Sequence, residues 1–287
     1  FKQKTAYEIS LGLVGSEMCI RDRLEPRVLY SDVLLLESGS SLRDFAEMMV
    51  LVSNLESAVP IMTWVMITGR SSNLKAGEYR ISTGDSVEDI VTQIVAGKVI
   101  EHSITFPEGF GFRDIIGRLD SARALFREEG DLSTELIKQE IGTDHEVLEG
   151  LFFPDTYHYI RSDTPISILR RANKVLKVKL QDAWSGRDND LVLKTPYELL
   201  ILASIIEKEA VVAHEKPTIS GVFINRLNKN MRLQTDPTVI YGLGDKFSGG
   251  LTKEHLTKDT PYNTLSLIHI SEPTRPRLIS YAVFCLK

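Results

Sequence analysis

Cysteine is nearly missing from this chain of 287 residues: only Cys19 and Cys285 are present, almost at opposite ends. That count excludes a disulfide-stapled miniprotein. A run of about 18 to 20 apolar residues, the length a membrane-crossing helix needs, is absent as well. Basic charge is not in excess, since 34 Lys and Arg face 39 Asp and Glu, a net charge of −5. This argues against a general affinity for nucleic-acid phosphates. The histidines at 102, 145, 158, 214 and 255 lack ligand spacing, so no metal is expected. The glycines of YGLGDKFSGG are not followed by Gly-Lys-Ser or Gly-Lys-Thr, which argues against a phosphate-binding loop, and no cofactor is expected. With 43% apolar and 25% charged residues, the composition suits a folded chain, and the length suits two domains.

Both cysteines lie in segments that do not read as protein. FKQKTAYEISLGLVGSEMCIRDR at the start and LSLIHISEPTRPRLISYAVFCLK at the end resemble translated transposase-type sequencing adapters. The alternative for the first is a signal peptide, but SLGLVG, broken by Glu17 and Arg21, supplies no basic n-region, long apolar core or small-residue cleavage site. Setting aside residues 1–23 and 265–287 removes seven basic and four acidic residues. About Leu24 to Thr264 then remains, with 27 basic against 35 acidic residues and a net charge of −8. No cysteine remains, which excludes zinc-thiolate sites and thiol nucleophiles and leaves no redox signal to read.

One pattern recurs three times in the N-terminal half. LESGSSLRDFA, ISTGDSVEDIV and FPEGFGFRDII each place a glycine, then two residues, then an apolar–charged–Asp triplet. Each reads as a short strand, a turn at Gly39, Gly84 or Gly109, an N-cap and a helix. Uneven spacing argues against a solenoid. The segment KAGEYRISTGDSVEDIVTQIVAGK resembles the LysM type of glycan-binding module, in which a strand and a Gly-Asp-Ser turn lead into a helix. PIMTWVMIT, Pro60 to Thr68, is too short to span a membrane and reads as core. Further on, LEGLFFPDTYHYI is strand-like or irregular, and Ile166 to Trp184 suits an amphipathic helix. Thr195, Pro196 and Glu198 form a strong helix start, and another helix is expected from about Pro217 to Leu227.

ASIIEKEA is the most informative stretch. Glu207 and Glu209 lie two residues apart on a helix, so they point about 200° from each other and cannot face one another as a carboxylate pair. Projection at 100° per residue places Glu209 between Leu202 and Ile205, inside the apolar sector. Glu207 falls toward the edge and Lys208 points outward. A carboxylate among aliphatic side chains loses solvation, which favours the protonated form a general acid requires. A solvated, charged helix end is the alternative reading. Downstream, Asn225, Arg226, Gln234, Thr235, Asp236, Tyr241, Tyr262 and Asn263 form a dense set of hydrogen-bonding side chains suited to a polyhydroxylated ligand such as a glycan. Singly, each has a plainer role: Asn225 and Arg226 could cap a helix, and Asp236 before Pro237 could start a turn.

ASIIEKEA, VFINRL, MRLQTDPTVIYG, PYNT and LEGLFFPDTY resemble the endolytic murein transglycosylase family, also called YceG-like, over nearly all of Leu24 to Thr264. The resemblance implies an α+β fold: a LysM-like strand/helix subdomain over 24–100, a connecting strand/helix segment over 101–145 and a mixed, helix-rich YceG-like catalytic domain over 146–264. It implies cleavage of peptidoglycan between N-acetylmuramic acid and N-acetylglucosamine, leaving a 1,6-anhydromuramyl end. Its catalytic glutamate falls in IIEKE and is placed at Glu209, with Glu207 as runner-up. Asn225, Gln234, Thr235, Asp236, Tyr241, Tyr262 and Asn263 would then bind substrate. A membrane helix ahead of Leu24, a catalytic domain outside the cytoplasmic membrane and partners in wall synthesis are also implied. The chain departs from the family at both ends. The membrane helix is not there, and adapter-like residues replace the Tyr and Gly-Leu-Pro-Pro segment that follows PYNT, so the expectation is of a truncated enzyme whose own activity is open. The alternatives are a noncatalytic peptidoglycan-binding or scaffold module and a hydrolytic muramidase.

Overall fold

The structure is a computed structural model that describes residues 33–52, 55–126, 132–244, 247, 249–258, 260 and 262–264. The adapter-like ends, both cysteines and residues 24–32 lie outside the described residues. The chain divides into two compact units. One holds the described residues up to His102 together with 160–162, and the other holds Ser103 to Tyr159 and everything from Asp163 onward.

The first unit contains β1 (Val33–Leu36), α1 (Leu42–Val52), α2 (Val59–Ile67), β2 (Gly77–Arg80) and α3 (Val87–Ala96). β1 and β2 pair antiparallel, with Leu34 opposite Tyr79 and Leu36 opposite Gly77. Alternation turns Leu34, Leu36 and Tyr79 inward onto Phe45, Met49, Ile61, Trp64, Ile90 and Ile94. α2 takes in all of PIMTWVMIT except Thr68, its C-cap, and it does enter the core through Ile61, Trp64 and Val65, although Val59, Met66 and Ile67 remain exposed.

The second unit contains β3 (His102–Thr105), α4 (Phe112–Ser121), α5 (Thr134–Ile141), β4 (Thr156–Tyr159), α6 (Pro165–Ser185), α7 (Pro196–Glu209), α8 (Lys216–Asn228), α9 (Asp236–Leu243) and α10 (Lys253–Thr257). β3 pairs with β4. The segment 101–145, expected as a connecting strand/helix stretch, holds β3, α4 and α5, and from Ser103 onward it falls in this unit. One apolar cluster gathers Ile104, Phe106, Leu119, Ile137, Phe152 and Ile168; a second surrounds α7 with Leu176, Leu193, Phe223 and Leu233. The architecture among the described residues is helix-rich α+β with two two-stranded sheets.

The threefold pattern folds the same way each time. The backbone N–H of Ser40, Asp85 or Phe110 donates to the carbonyl three residues earlier, at 3.2, 3.0 and 3.3 Å. The third residue of each turn is Gly39, Gly84 or Gly109, with φ of 86°, 98° and 84°, a conformation other residues adopt only under strain. In each copy the aspartate is the third helical residue. Its carboxylate accepts from the backbone N–H of Ser41 (2.8 Å), Ser86 (3.1 Å) or Gly111 (2.8 Å), satisfying a donor at the helix start. Hydrogen bonds from Ser41 and Ser86 hold Asp44 and Asp89 below the ordinary carboxylate range.

Candidate active site

α7 starts as its sequence dictates. Thr195 Oγ1 accepts from the Glu198 N–H at 3.2 Å, Pro196 takes the first turn, and Glu198 accepts from the Lys194 N–H at 2.6 Å. Every residue from Leu199 to Glu207 is then buried, so the helix is enclosed on all sides rather than amphipathic. This overturns the expectation drawn from projection. An apolar sector has no meaning on a helix buried all round; what decides exposure is how near a residue lies to the point where the helix leaves the core. Glu207 is still inside, 8% exposed, and its Oε2 lies 2.6 Å from Nζ of Lys216, itself 5% exposed. Glu209 is the last helical residue and is exposed. Lys208, expected to point outward, is half-buried and lines a groove.

The Glu209 carboxylate is held from one side. Thr235 Oγ1 donates to Glu209 Oε2 at 2.9 Å. Thr235 is 1% exposed and belongs to a buried group of hydroxyls. Thr238 Oγ1 donates to the Thr235 carbonyl at 2.8 Å, the Thr238 and Thr264 hydroxyls are 2.7 Å apart, and Thr264 Oγ1 accepts from the Thr235 N–H at 3.3 Å. The neighbouring Gln234 has φ of 56°, and its N–H donates to the Thr264 carbonyl at 3.1 Å.

Beside this end of α7 lies a groove of roughly 840 Å³ lined by Phe112 and Arg113 of α4, Val147 to Glu149, Lys208, Pro237, Ile240, Tyr241, Gly244, Phe247 and Tyr262. Tyr241 and Tyr262 meet edge to face, with centroids 4.9 Å apart. Glu209 does not line the groove. It is the next residue after Lys208, and its partner Thr235 lies two residues before Pro237, so both of its anchors adjoin the wall.

The nominated ligand contacts separate into three groups. Tyr241 and Tyr262 line the groove. Gln234 and Asp236 are exposed next to Thr235, and Asn225 is exposed on α8 outside the groove lining. Thr235 and Asn263 are both 1% exposed and turned inward: Thr235 serves Glu209, while the Asn263 amide donates to the carbonyls of Leu256 (3.0 Å) and Lys258 (2.8 Å). Burial and internal hydrogen bonds take these two away from a ligand and make them supports of the loop. The sequence reading did not nominate Glu149, whose carboxylate lines the groove and accepts from the Phe112 N–H at 3.1 Å. Its signal was an acidic residue just ahead of the apolar and aromatic run Leu151 to Phe153. Among the described residues no group of His, Cys, Asp and Glu could hold a metal ion.

A family model described as YceG-like family matches residues 34–267. An endolytic murein transglycosylase of Bacillus subtilis strain 168 is 29% identical over 250 residues, covering 80% of this chain and 68% of that protein. An endolytic murein transglycosylase of Streptococcus pneumoniae strain D39 is 27% identical over 67% of this chain, which spans only 40% of that relative. Among solved structures, that of a protein described as yceG-like from Listeria monocytogenes matches with a TM-score of 0.51 and 26% identity, covering 88% of each chain.

Proposed function

The chain belongs to the YceG-like family, and from that membership we propose that it is an endolytic murein transglycosylase, cleaving peptidoglycan between N-acetylmuramic acid and N-acetylglucosamine to leave a 1,6-anhydromuramyl end. One observation carries the choice of residue. Of the two glutamates at the end of α7, Glu207 is committed to Lys216 in the interior, while Glu209 is exposed, oriented by Thr235 and adjacent to the groove. Glu209 protonates the glycosidic oxygen as the bond to C1 breaks. Its carboxylate then takes the proton of the muramyl 6-hydroxyl as that oxygen closes on C1. In the free chain Glu209 faces water, so a glycan covering the end of α7 supplies the desolvation that was expected from the helix interior. Tyr241 and Tyr262 offer ring faces and hydroxyls to the sugars, and Gln234 and Asp236 offer polar groups at the rim.

The first unit, with its strand, Gly84 turn and capped helix, serves as a LysM-like glycan holder in this reading. The reading also carries a catalytic unit on the wall side of the cytoplasmic membrane, tethered by a helix and working beside wall-synthesis proteins. Among the described residues no helix is long and apolar enough to cross a membrane.

A hydrolytic muramidase is the second reading, favoured by Glu149 as another carboxylate on the groove, since glycoside hydrolases generally use two. Against it, Glu149 already accepts from the start of α4. Incubation with purified glycan strands and mass spectrometry decides between them: anhydro ends support the transglycosylase, reducing muramic acid ends the muramidase, and no cleavage by the folded chain removes both. Glu209→Gln is expected to abolish product without unfolding the chain. Turnover at the unsubstituted rate in that variant would reassign the acid.

A further inference from the structure

We propose that Thr235 is the positioning residue of this site, and that its hydroxyl decides which oxygen of Glu209 carries the proton. The inference rests on the reading of Glu209 as the acid, but its geometry does not depend on it. Thr235 Oγ1 donates to Oε2, and among the described residues Oε1 accepts no hydrogen bond. An oxygen that is accepting a hydroxyl proton is the carbonyl-like oxygen of a carboxylic acid. The acid proton of Glu209 therefore sits on Oε1, the oxygen Thr235 leaves open.

Thr235 is able to impose this because it has little freedom of its own. It is 1% exposed, its carbonyl accepts from Thr238, its N–H donates to Thr264, and Thr238 and Thr264 are themselves 2% and 1% exposed. The Thr235 carbonyl is taken by a hydroxyl that belongs to its own helix, α9, whereas the N–H is taken by a hydroxyl from near the other end of the described chain. With both backbone groups fixed, the side-chain hydroxyl donates to Glu209, its one acceptor among the described residues.

The proton balance follows. The Oε1–H bond breaks as the leaving sugar's O–H bond forms, C1 loses its bond to the glycosidic oxygen and gains one to O6, and the proton of that hydroxyl returns to Oε1. No other reactant is consumed. Thr235 neither gives nor takes a proton in the sequence; it keeps the same hydrogen bond to Oε2 in the acid and carboxylate forms, so Glu209 needs no reorientation between its two roles. A carboxyl free to turn would present the wrong oxygen in part of its population and lose the alignment that proximity catalysis requires.

The test compares Thr235→Val, which keeps shape and removes the hydroxyl, with Thr235→Ser, which keeps the hydroxyl. With glycan strands as substrate, Thr235→Val is expected to lower kcat on the order of a hundredfold at unchanged KM, and Thr235→Ser to restore it. Unsubstituted kcat in Thr235→Val overturns the proposal. So does a Thr235→Ser rate as low as that of Thr235→Val, because the methyl group would then be what matters. A second readout needs no substrate: NMR three-bond couplings along the Glu209 side chain should report one rotamer in the unsubstituted chain and in Thr235→Ser, and averaging in Thr235→Val. If no chain cleaves glycan, the transglycosylase reading fails while the couplings still decide this one; equal couplings in all three chains overturn it. Should Thr235→Val not fold, Thr264→Val is measured the same way, with averaged Glu209 couplings supporting the proposal and unchanged ones overturning it.

Discussion

The three glycine turns and the end of α7 solve the same problem, holding a carboxylate still, by opposite means. At the turns, Asp44, Asp89 and Asp114 bond to donors three residues away, and everything required lies within one short stretch of sequence. At the end of α7, Glu209 depends on Thr235, which depends in turn on Thr238 and Thr264. The difference teaches why one device could be repeated and the other could not. A local cap travels with its segment, whereas the hydroxyl group at Glu209 exists only when three distant stretches have already met.

The strongest way to sharpen the contrast is through the interior. Breaking the buried Glu207 and Lys216 pair, by Glu207→Gln or Lys216→Met, should cost about 3–5 kcal/mol in urea unfolding, because the remaining charge stays in the interior after losing an ion-pair contact. Replacing both with apolar residues of similar size should recover most of it. A loss below about 1 kcal/mol for either single change would show that water reaches the pair. At the turns the effects are smaller. Ser86→Ala removes the Oγ that accepts from the Asp89 N–H, and should cost about 1 kcal/mol. Ser41→Ala should add to it, because separated caps act independently, while Thr235→Val and Thr264→Val should be distinctly non-additive. Among glycines, Gly84→Ala should destabilise by about 1 kcal/mol through its φ of 98° alone, as nothing among the described residues stands within 4 Å of the added carbon. Gly221→Ala, exposed within α8 and equally uncrowded, should stabilise by about 0.5–1 kcal/mol. Equal effects at the two sites would remove the backbone argument for the turns.

The smallest effect is in pH. Asp44 and Asp89 are held below their ordinary values by hydrogen bonds from Ser41 and Ser86. Their contribution is fully present above the unfolded value near pH ~3.9 and is lost as pH falls through the lower folded values. Thermal melts of Asp44→Asn and Asp89→Asn should therefore differ from the unsubstituted chain at pH 6 and converge with it in strong acid. A gap that persists unchanged would assign the effect to geometry rather than charge.

The same contrast explains what could be read from the sequence. The turns and the α7 start were legible because glycine, serine, threonine and aspartate act there on their immediate neighbours. The exchanged places of Glu207 and Glu209 were not, since a projection assumes one wet face and α7 has none from Leu199 to Glu207. Thr235 and Asn263 were picked out for their polarity, but burial turned that polarity inward. Glu149 escaped notice because its place on the groove wall depends on residues far from it in sequence, such as Phe112 of α4 and Tyr241 of α9, which no local pattern encodes.

The bond from Thr235 to Thr264 also imposes an order in time. A chain made from its N-terminus can complete α7 and pair Glu207 with Lys216 soon after that lysine is added. Thr235 must wait for Thr264, which lies 29 residues further along and is added only after α8 and α9 have been made. Until then the core around α7 is built while the carboxylate at its tip still turns freely, so the interior of this unit matures before its chemistry does.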